Sequence, residues 1–123
     1  MTAPPGWPAD VPPPGAPEWE RKAVAWLLDL CPPDFRGYDV LRRHPAVLAR
    51  FATRYVAAAL DASRAGLAAA RHELGPLLGP DGLPAAIDAY EREEARLVRA
   101  QRAVPLVERA LKGERFTPRM GNP

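Results

Sequence analysis

Gly75-Pro-Leu-Leu-Gly-Pro-Asp-Gly82 is the stretch that decides the fold, because it separates two long runs of helix-compatible sequence. The run before it, residues 45–74, has proline only at its first position and a single glycine, Gly66. The run after it, residues 84–112, is interrupted only by Pro105. Two helices joined by a short turn lie side by side in opposite directions. The sequence therefore predicts a long antiparallel helical hairpin.

A shorter helix is predicted ahead of this hairpin, over residues 17–30. Cys31-Pro32-Pro33 ends it, because a residue that precedes proline disfavours the α region. In the last predicted helix Pro105 removes a backbone hydrogen bond, so a kink or break is expected there. Together the three helices predict an all-α three-helix bundle over residues 17–113, with the shorter helix packed on the hairpin. Apolar residues recur at helical spacing in the first helix: Trp19, Ala23, Trp26, Leu27 and Leu30.

Aromatic residues are expected to contribute to the core of this bundle. Residues 34–44 predict a connector that Phe35, Tyr38 and Leu41 attach to the helices. The second predicted helix carries an apolar stripe at helical spacing, formed by Leu48, Phe51, Ala52, Tyr55, Ala59 and Leu60.

Both ends of the chain are predicted to be tails. Residues 1–16 are rich in proline and favour an extended, disordered segment with polyproline II character. Residues 114–123 predict a flexible C-terminal tail. Isolated apolar side chains in the tails, Trp7, Phe116 and Met120, are candidate contacts to a partner protein.

Several functional classes find no support in the sequence. Cys31 is the only cysteine, which excludes an intrachain disulfide and a cysteine-rich zinc site. No secretory signal and no run of about 20 apolar residues is present, so a cytoplasmic protein without a membrane segment is expected. No catalytic, metal or nucleotide motif stands out, and the sequence predicts a protein that is not an enzyme and uses no cofactor.

Arginines are the one group of charged residues with a pattern. Residues 35–75 carry seven bases and three acids, whereas the whole chain has a net charge of only +2. Arg42-Arg43-His44 precedes the start of a helix, where an anion can bind unsatisfied N–H groups. Further arginines follow along the second predicted helix, and with these three they are the candidate contacts to an anion or a nucleic acid: Arg50, Arg54, Arg64 and Arg71. A solvated helix face is the favoured interpretation of this row.

The leading hypothesis is a non-enzymatic adaptor or assembly module that binds another protein through the hairpin surface and the tails. A second copy of the chain is an alternative partner, since a homodimer would complete a four-helix bundle. The alternative function is a nucleic-acid-associated regulator that uses the arginine row. A third hypothesis places a small-ligand pocket between the first helix and the hairpin, around Trp19, Trp26, Tyr55 and Tyr90.

Overall fold

A computed structural model describes residues 2–114. These residues form helices and contain no strand, so the predicted all-α class is confirmed. Three α-helices and one 3-10 turn follow one another along the chain: α1 (Trp19–Leu30), the 3-10 turn (Pro33–Gly37), α2 (Asp39–Arg43) and α3 (Pro45–Leu111). Within the described residues, no helix is both long enough and apolar enough to cross a lipid bilayer.

Helix α1 begins two residues later than predicted. Its first residue is Trp19 rather than Pro17, and Glu18, which precedes it, adopts a left-handed conformation with φ 67°. Few residues other than glycine adopt that conformation, so the start of α1 is locally strained. The end of α1 is as predicted, because Cys31 is extended ahead of Pro32.

Helix α3 runs through the stretch that was predicted to separate two helices. Of its 67 residues only Gly79 has non-helical backbone angles, φ 71° and ψ −176°. The predicted turn of eight residues is thus reduced to a single glycine. Pro80 follows Gly79 directly. Proline is well tolerated there, because the first residues of a helix have no intrahelical acceptor for their N–H groups.

The break predicted near Pro105 is absent, since Pro105 lies inside α3 with helical angles on both sides. A proline at this position leaves the carbonyl of Gln101 without its amide partner. Gln101 is exposed, so water can satisfy that carbonyl.

Contacts join the two parts of α3 on either side of Gly79, here called the N-terminal arm (residues 45–78) and the C-terminal arm (residues 80–111). Arg50 bonds Glu108 at 3.2 Å, and Arg64 bonds Glu94 at 2.7 Å. In a straight helix Arg50 and Glu108 would lie about 87 Å apart, at 1.5 Å per residue. The helix is therefore sharply bent at Gly79.

The core lies between the two arms and under α1 and α2. Its largest fully buried side chains are Leu27, Leu41, Leu48, Val56, Leu60, Leu97, Val104 and Val107. Small side chains fill the rest and let the helix backbones approach closely: Ala23, Ala49, Ala52 and Ala100. The arms also approach closely at Gly66, where a Cβ atom would lie 2.4 Å from the ring of Tyr90.

Residues 2–16 differ from the disordered tail that their composition predicts. Val11 is 3 % exposed and belongs to the core, and Pro4 is buried as well. The Trp7 indole lies 6.1 Å from that of Trp19, and its Nε1–H donates to the carbonyl of Val11 at 2.9 Å. This N-terminal segment is irregular, as proline requires, but its apolar side chains are buried against the helices.

Candidate functional site

Four aromatic side chains gather on one surface of the molecule. Phe35 comes from the 3-10 turn, Tyr38 from the residue that precedes α2, and Phe51 and Tyr55 from the N-terminal arm. The Phe35 ring is the centre of the group, with its centroid 5.8 Å from Tyr38, 6.0 Å from Phe51 and 6.3 Å from Tyr55. We call these four residues the aromatic patch.

Local sequence explains how the patch is built. The two prolines after Cys31 end α1 and lead into the 3-10 turn, which carries Phe35 back to the start of α3. Phe51 and Tyr55 are four residues apart on one helix, so their side chains lie one above the other. Phe51 and Tyr55 meet Phe35 edge to face, the arrangement that aromatic pairs prefer.

Three members of the patch are open to solvent, which corrects the prediction that they belong to the core, whereas Phe35 is partly buried and packs against the core as predicted. Tyr38 is 50 % exposed, Phe51 45 % and Tyr55 37 %. Leu41 is fully buried and attaches the connector to the core as predicted. Leu48, Ala52 and Leu60 of the predicted stripe are buried and Ala59 is partly buried, so only Phe51 and Tyr55 depart from the prediction. Ala49 and Val56 complete the buried stripe.

Two arginines border the aromatic patch. Arg50 and Arg54 line a depression of about 550 Å³ together with Phe35, Phe51 and Tyr55. Sequence reasoning placed the arginines on one face and the aromatic residues in the core, and so missed the combination. The signal is nevertheless present, because an arginine-aromatic pair occurs at residues 50–51 and again four residues later at 54–55.

Arg50 is anchored to the C-terminal arm. Its guanidinium donates to Oε1 of Glu108, and Lys112 bonds the other oxygen of the same carboxylate at 2.8 Å. Burial alone would raise the pKa of Glu108, but hydrogen bonds from Lys112 and Arg50 outweigh it and hold that pKa below its usual range. Glu108 is therefore a charged group that holds both bases in place.

The other predicted anion contacts do not join this site. Arg43 bonds Asp39 and Arg64 bonds Glu94, each at 2.7 Å. His44 precedes α3 without forming a side-chain cap. Arg42 and Arg71 are exposed. The arginine row is thus interrupted by ion pairs and does not form a continuous basic surface.

The four residues of the predicted small-ligand pocket are also separated. Trp19 packs on Trp7, Tyr55 belongs to the aromatic patch, and Tyr90 covers Gly66. Trp26 lines a different groove, of about 570 Å³, between the N-terminal segment, α1 and the C-terminal arm. The polar side chains of that groove are Asp10, Asp29, Arg96, Arg99 and Arg102.

The remaining candidate residues lie in the N-terminal segment, at the end of α1 and near the C-terminus. Trp7 is half-buried in the N-terminal segment, and Phe116 and Met120 lie outside the described residues. Cys31 is buried, and burial raises the pKa of its thiol to about 11 although the nearby Arg36 acts in the opposite direction. Among residues 2–114, no group of three or more His, Cys, Asp or Glu side chains is arranged to hold a metal ion.

Comparisons with known proteins do not assign a function to this chain. No protein-family model, no curated protein and no solved structure matches this chain.

Proposed function

We propose that this protein is a non-enzymatic docking module, an adaptor or assembly factor, whose aromatic patch binds another protein. The observation that carries the proposal is the exposure of Tyr38, Phe51 and Tyr55 beside two arginines. Tyrosine, phenylalanine and arginine are enriched in the centres of protein interfaces, and a few such residues supply most of the binding energy. Large exposed apolar patches that are rimmed by polar residues mark interaction sites.

The proposed scaffold for the patch is an antiparallel hairpin of the two arms of α3. Three pairs across Gly79 support this arrangement: residue 50 meets 108, residue 64 meets 94, and residue 66 meets 90. The residue number of one partner increases as that of the other decreases, which is the order expected of antiparallel helices. Side chains on such packed helices are held more rigidly than side chains on loops, and a rigid surface loses less entropy on binding.

The experiment is affinity purification with the full chain and two matched variants. Phe51→Ala/Tyr55→Ala removes half of the aromatic patch, whereas Leu77→Ala/Leu78→Ala removes exposed apolar side chains near Gly79, where Leu77 is 79 % exposed. The partner should be lost with the first variant and retained with the second. Circular dichroism must show equal helix content in all three proteins.

The size of the effect follows from the behaviour of interface residues. A central aromatic residue costs about 2 kcal/mol or more when it is cut back to alanine, which is a loss of about 30-fold in affinity. If the partner binds the Phe51→Ala/Tyr55→Ala variant as tightly as the unchanged protein, the binding site does not lie at the aromatic patch.

A nucleic-acid-associated role is the second candidate, because aromatic rings beside arginines also occur where single strands bind. The ion pairs of Arg43, Arg50 and Arg64 with carboxylates weaken this candidate. It predicts binding that falls steeply with salt. A fluorescent oligonucleotide that fails to bind at about 50 mM salt would remove it.

Self-association is the other alternative to a separate partner protein. Size-exclusion chromatography with light scattering, at several concentrations, distinguishes a monomer from a dimer. We propose a cytoplasmic location for the module, and fluorescence microscopy of the tagged chain tests that location.

A further inference from the structure

We propose that the partner presents an acidic segment to the aromatic patch, with carboxylates that meet Arg50 and Arg54 and a large apolar side chain that covers the rings. This inference rests on the proposed docking function and adds the chemistry of the partner.

The first argument is the charge that the site leaves uncompensated. Within the described part of the chain, no carboxylate lines the depression formed by Phe35, Arg50, Phe51, Arg54 and Tyr55. In the neighbouring elements Asp29 bonds Arg36 and Asp39 bonds Arg43, whereas Asp34 beside Phe35 is exposed and forms no ion pair within residues 2–114. Because Arg50 is paired with Glu108, the uncompensated charge at the depression is that of Arg54.

The second argument is the state of the two arginines themselves. Arg50 uses a single nitrogen for Glu108, and its side chain remains 56 % exposed. Arg54 is exposed and has no ion-pair partner among residues 2–114. A guanidinium carries five N–H donors, so most donors of both residues point to solvent or to a ligand. Carboxylates accept such donors in pairs, with charge-assisted bonds.

The third argument concerns the geometry of the combined surface. Arg50 and Arg54 are four residues apart on one helix, so they form a second row parallel to Phe51 and Tyr55. A partner segment can therefore place an apolar side chain on the rings while acidic residues beside it reach the arginines. Burial of the rings around such pairs removes water and strengthens the charged hydrogen bonds.

A second copy of this chain fits less well than a different acidic protein. Most carboxylates of its C-terminal arm are bound internally, because Asp88 bonds Arg92, Glu93 bonds Arg96 and Glu94 bonds Arg64. Glu108 bonds Arg50, so only Asp81 and Glu91 of that arm form no ion pair within residues 2–114. Nucleic acid also fits less well. Single strands bind along a positively charged groove, whereas Arg43, Arg50 and Arg64 are paired with carboxylates.

The test begins with selection of random twelve-residue peptides, displayed on phage, against the full chain. The expected result is enrichment of Asp and Glu around a Phe, Leu, Met or Trp residue. Enriched peptides without an excess of acidic residues would overturn the inference. The best peptide is then labelled with fluorescein, and its Kd is measured by fluorescence polarisation.

Matched variants separate this inference from the docking function. Arg54→Glu should raise the Kd of the peptide at least about 10-fold, because the charge-assisted bond between Arg54 and a peptide carboxylate is replaced by repulsion between two carboxylates. Arg71→Glu makes the same charge change at an exposed position farther along the N-terminal arm and should alter Kd less than about 2-fold. Neither change removes a buried group, so both variants should keep the helix content of the unchanged protein.

Each pattern of results has one meaning. Loss of binding in both Arg54→Glu and Phe51→Ala/Tyr55→Ala supports the acidic partner. Loss in the aromatic variant alone supports docking and overturns the inference about charge. Equal binding by all variants overturns both proposals. A fluorescent oligo-dT of twelve nucleotides that binds more tightly than the peptide, and loses affinity in Arg54→Glu, overturns the protein partner in favour of a nucleic acid.

Discussion

Replacement of Gly66 by alanine tests the contact between the two arms of α3 most directly. Gly66 lies in the N-terminal arm and faces the ring of Tyr90 from the C-terminal arm. A Cβ atom at Gly66 would lie 2.4 Å from Cε1, 2.5 Å from Cζ and 2.6 Å from the hydroxyl oxygen of Tyr90. All three distances are too short for non-bonded atoms, so either the ring or the helix must move.

Two effects of opposite sign decide the size of the change. Alanine stabilises a helix relative to glycine by about 1 kcal/mol. Overpacking against Tyr90 costs about 1–3 kcal/mol. The free energy of unfolding of Gly66→Ala should therefore be unchanged or lower by up to about 2 kcal/mol. In a Tyr90→Ala background the obstacle is gone, and the same substitution should stabilise the protein by about 1 kcal/mol.

The assay is urea unfolding of the four proteins of this cycle, followed by circular dichroism at 222 nm. The change in the free energy of unfolding caused by Gly66→Ala should differ by about 1–3 kcal/mol between the unchanged and the Tyr90→Ala backgrounds. Gly75→Ala is the control, because no atom lies within 4 Å of a Cβ atom there and a gain of up to about 1 kcal/mol is expected. An equal gain from Gly66→Ala in both backgrounds would refute the close approach of the two arms.

Three further predictions concern the packing and ionisation of single groups. Deletion of residues 2–16 should lower the free energy of unfolding by about 2 kcal/mol, because it removes the buried side chain of Val11 from the core; urea unfolding measures this. The pKa of Glu108 is depressed in the folded state, so its stabilising effect is present above about pH 4.3, the unfolded value, and is lost as the pH falls through the lower folded value. Glu108→Gln should therefore reduce the loss of stability between about pH 5 and pH 3 in acid titration of the fold. The buried thiol of Cys31, with a pKa of about 11, should react with Ellman's reagent at about pH 8 roughly 100-fold more slowly than in the urea-unfolded chain.

Each of these predictions has an opposite outcome. An unchanged urea midpoint after deletion of residues 2–16 would mean that the N-terminal segment does not pack on the helices. If stability falls equally with pH in Glu108→Gln and in the unchanged protein, the Glu108 carboxylate does not contribute to the loss of stability in acid. Rapid reaction of the folded thiol would show that Cys31 is accessible.

The fold class was predictable because it depends on local signals. Long proline-free runs and prolines after Cys31 specify helices and their ends through the backbone alone. The extent of the bend was not predictable in the same way. Eight residues rich in glycine and proline favour a turn, yet helical angles persist on both sides of Gly79. One positive φ at a glycine is sufficient to change the direction of the chain.

The aromatic patch was not predictable, because helical periodicity permits more than one apolar stripe on the N-terminal arm. Phe51 and Tyr55 fit the period of 3.6 residues as well as Leu48 and Ala52 do. Only packing against the C-terminal arm and α1 selects the stripe that is buried, and the smaller side chains allow the closer approach. The N-terminal segment was misjudged for a related reason. Proline prevents regular structure there, but it does not prevent Val11 from being buried.

The bend at Gly79 also has a consequence for the rate of folding. The pair closest to Gly79 is Gly66 with Tyr90, then Arg64 with Glu94 (30 residues apart), and last Arg50 with Glu108 (58 residues apart). Direct closure of the longest loop costs only about 0.6 kcal/mol more than closure of one half its length. When the inner pairs form first, each later pair closes only a short additional segment. We therefore expect folding to start beside Gly79 and to proceed outward along the two arms.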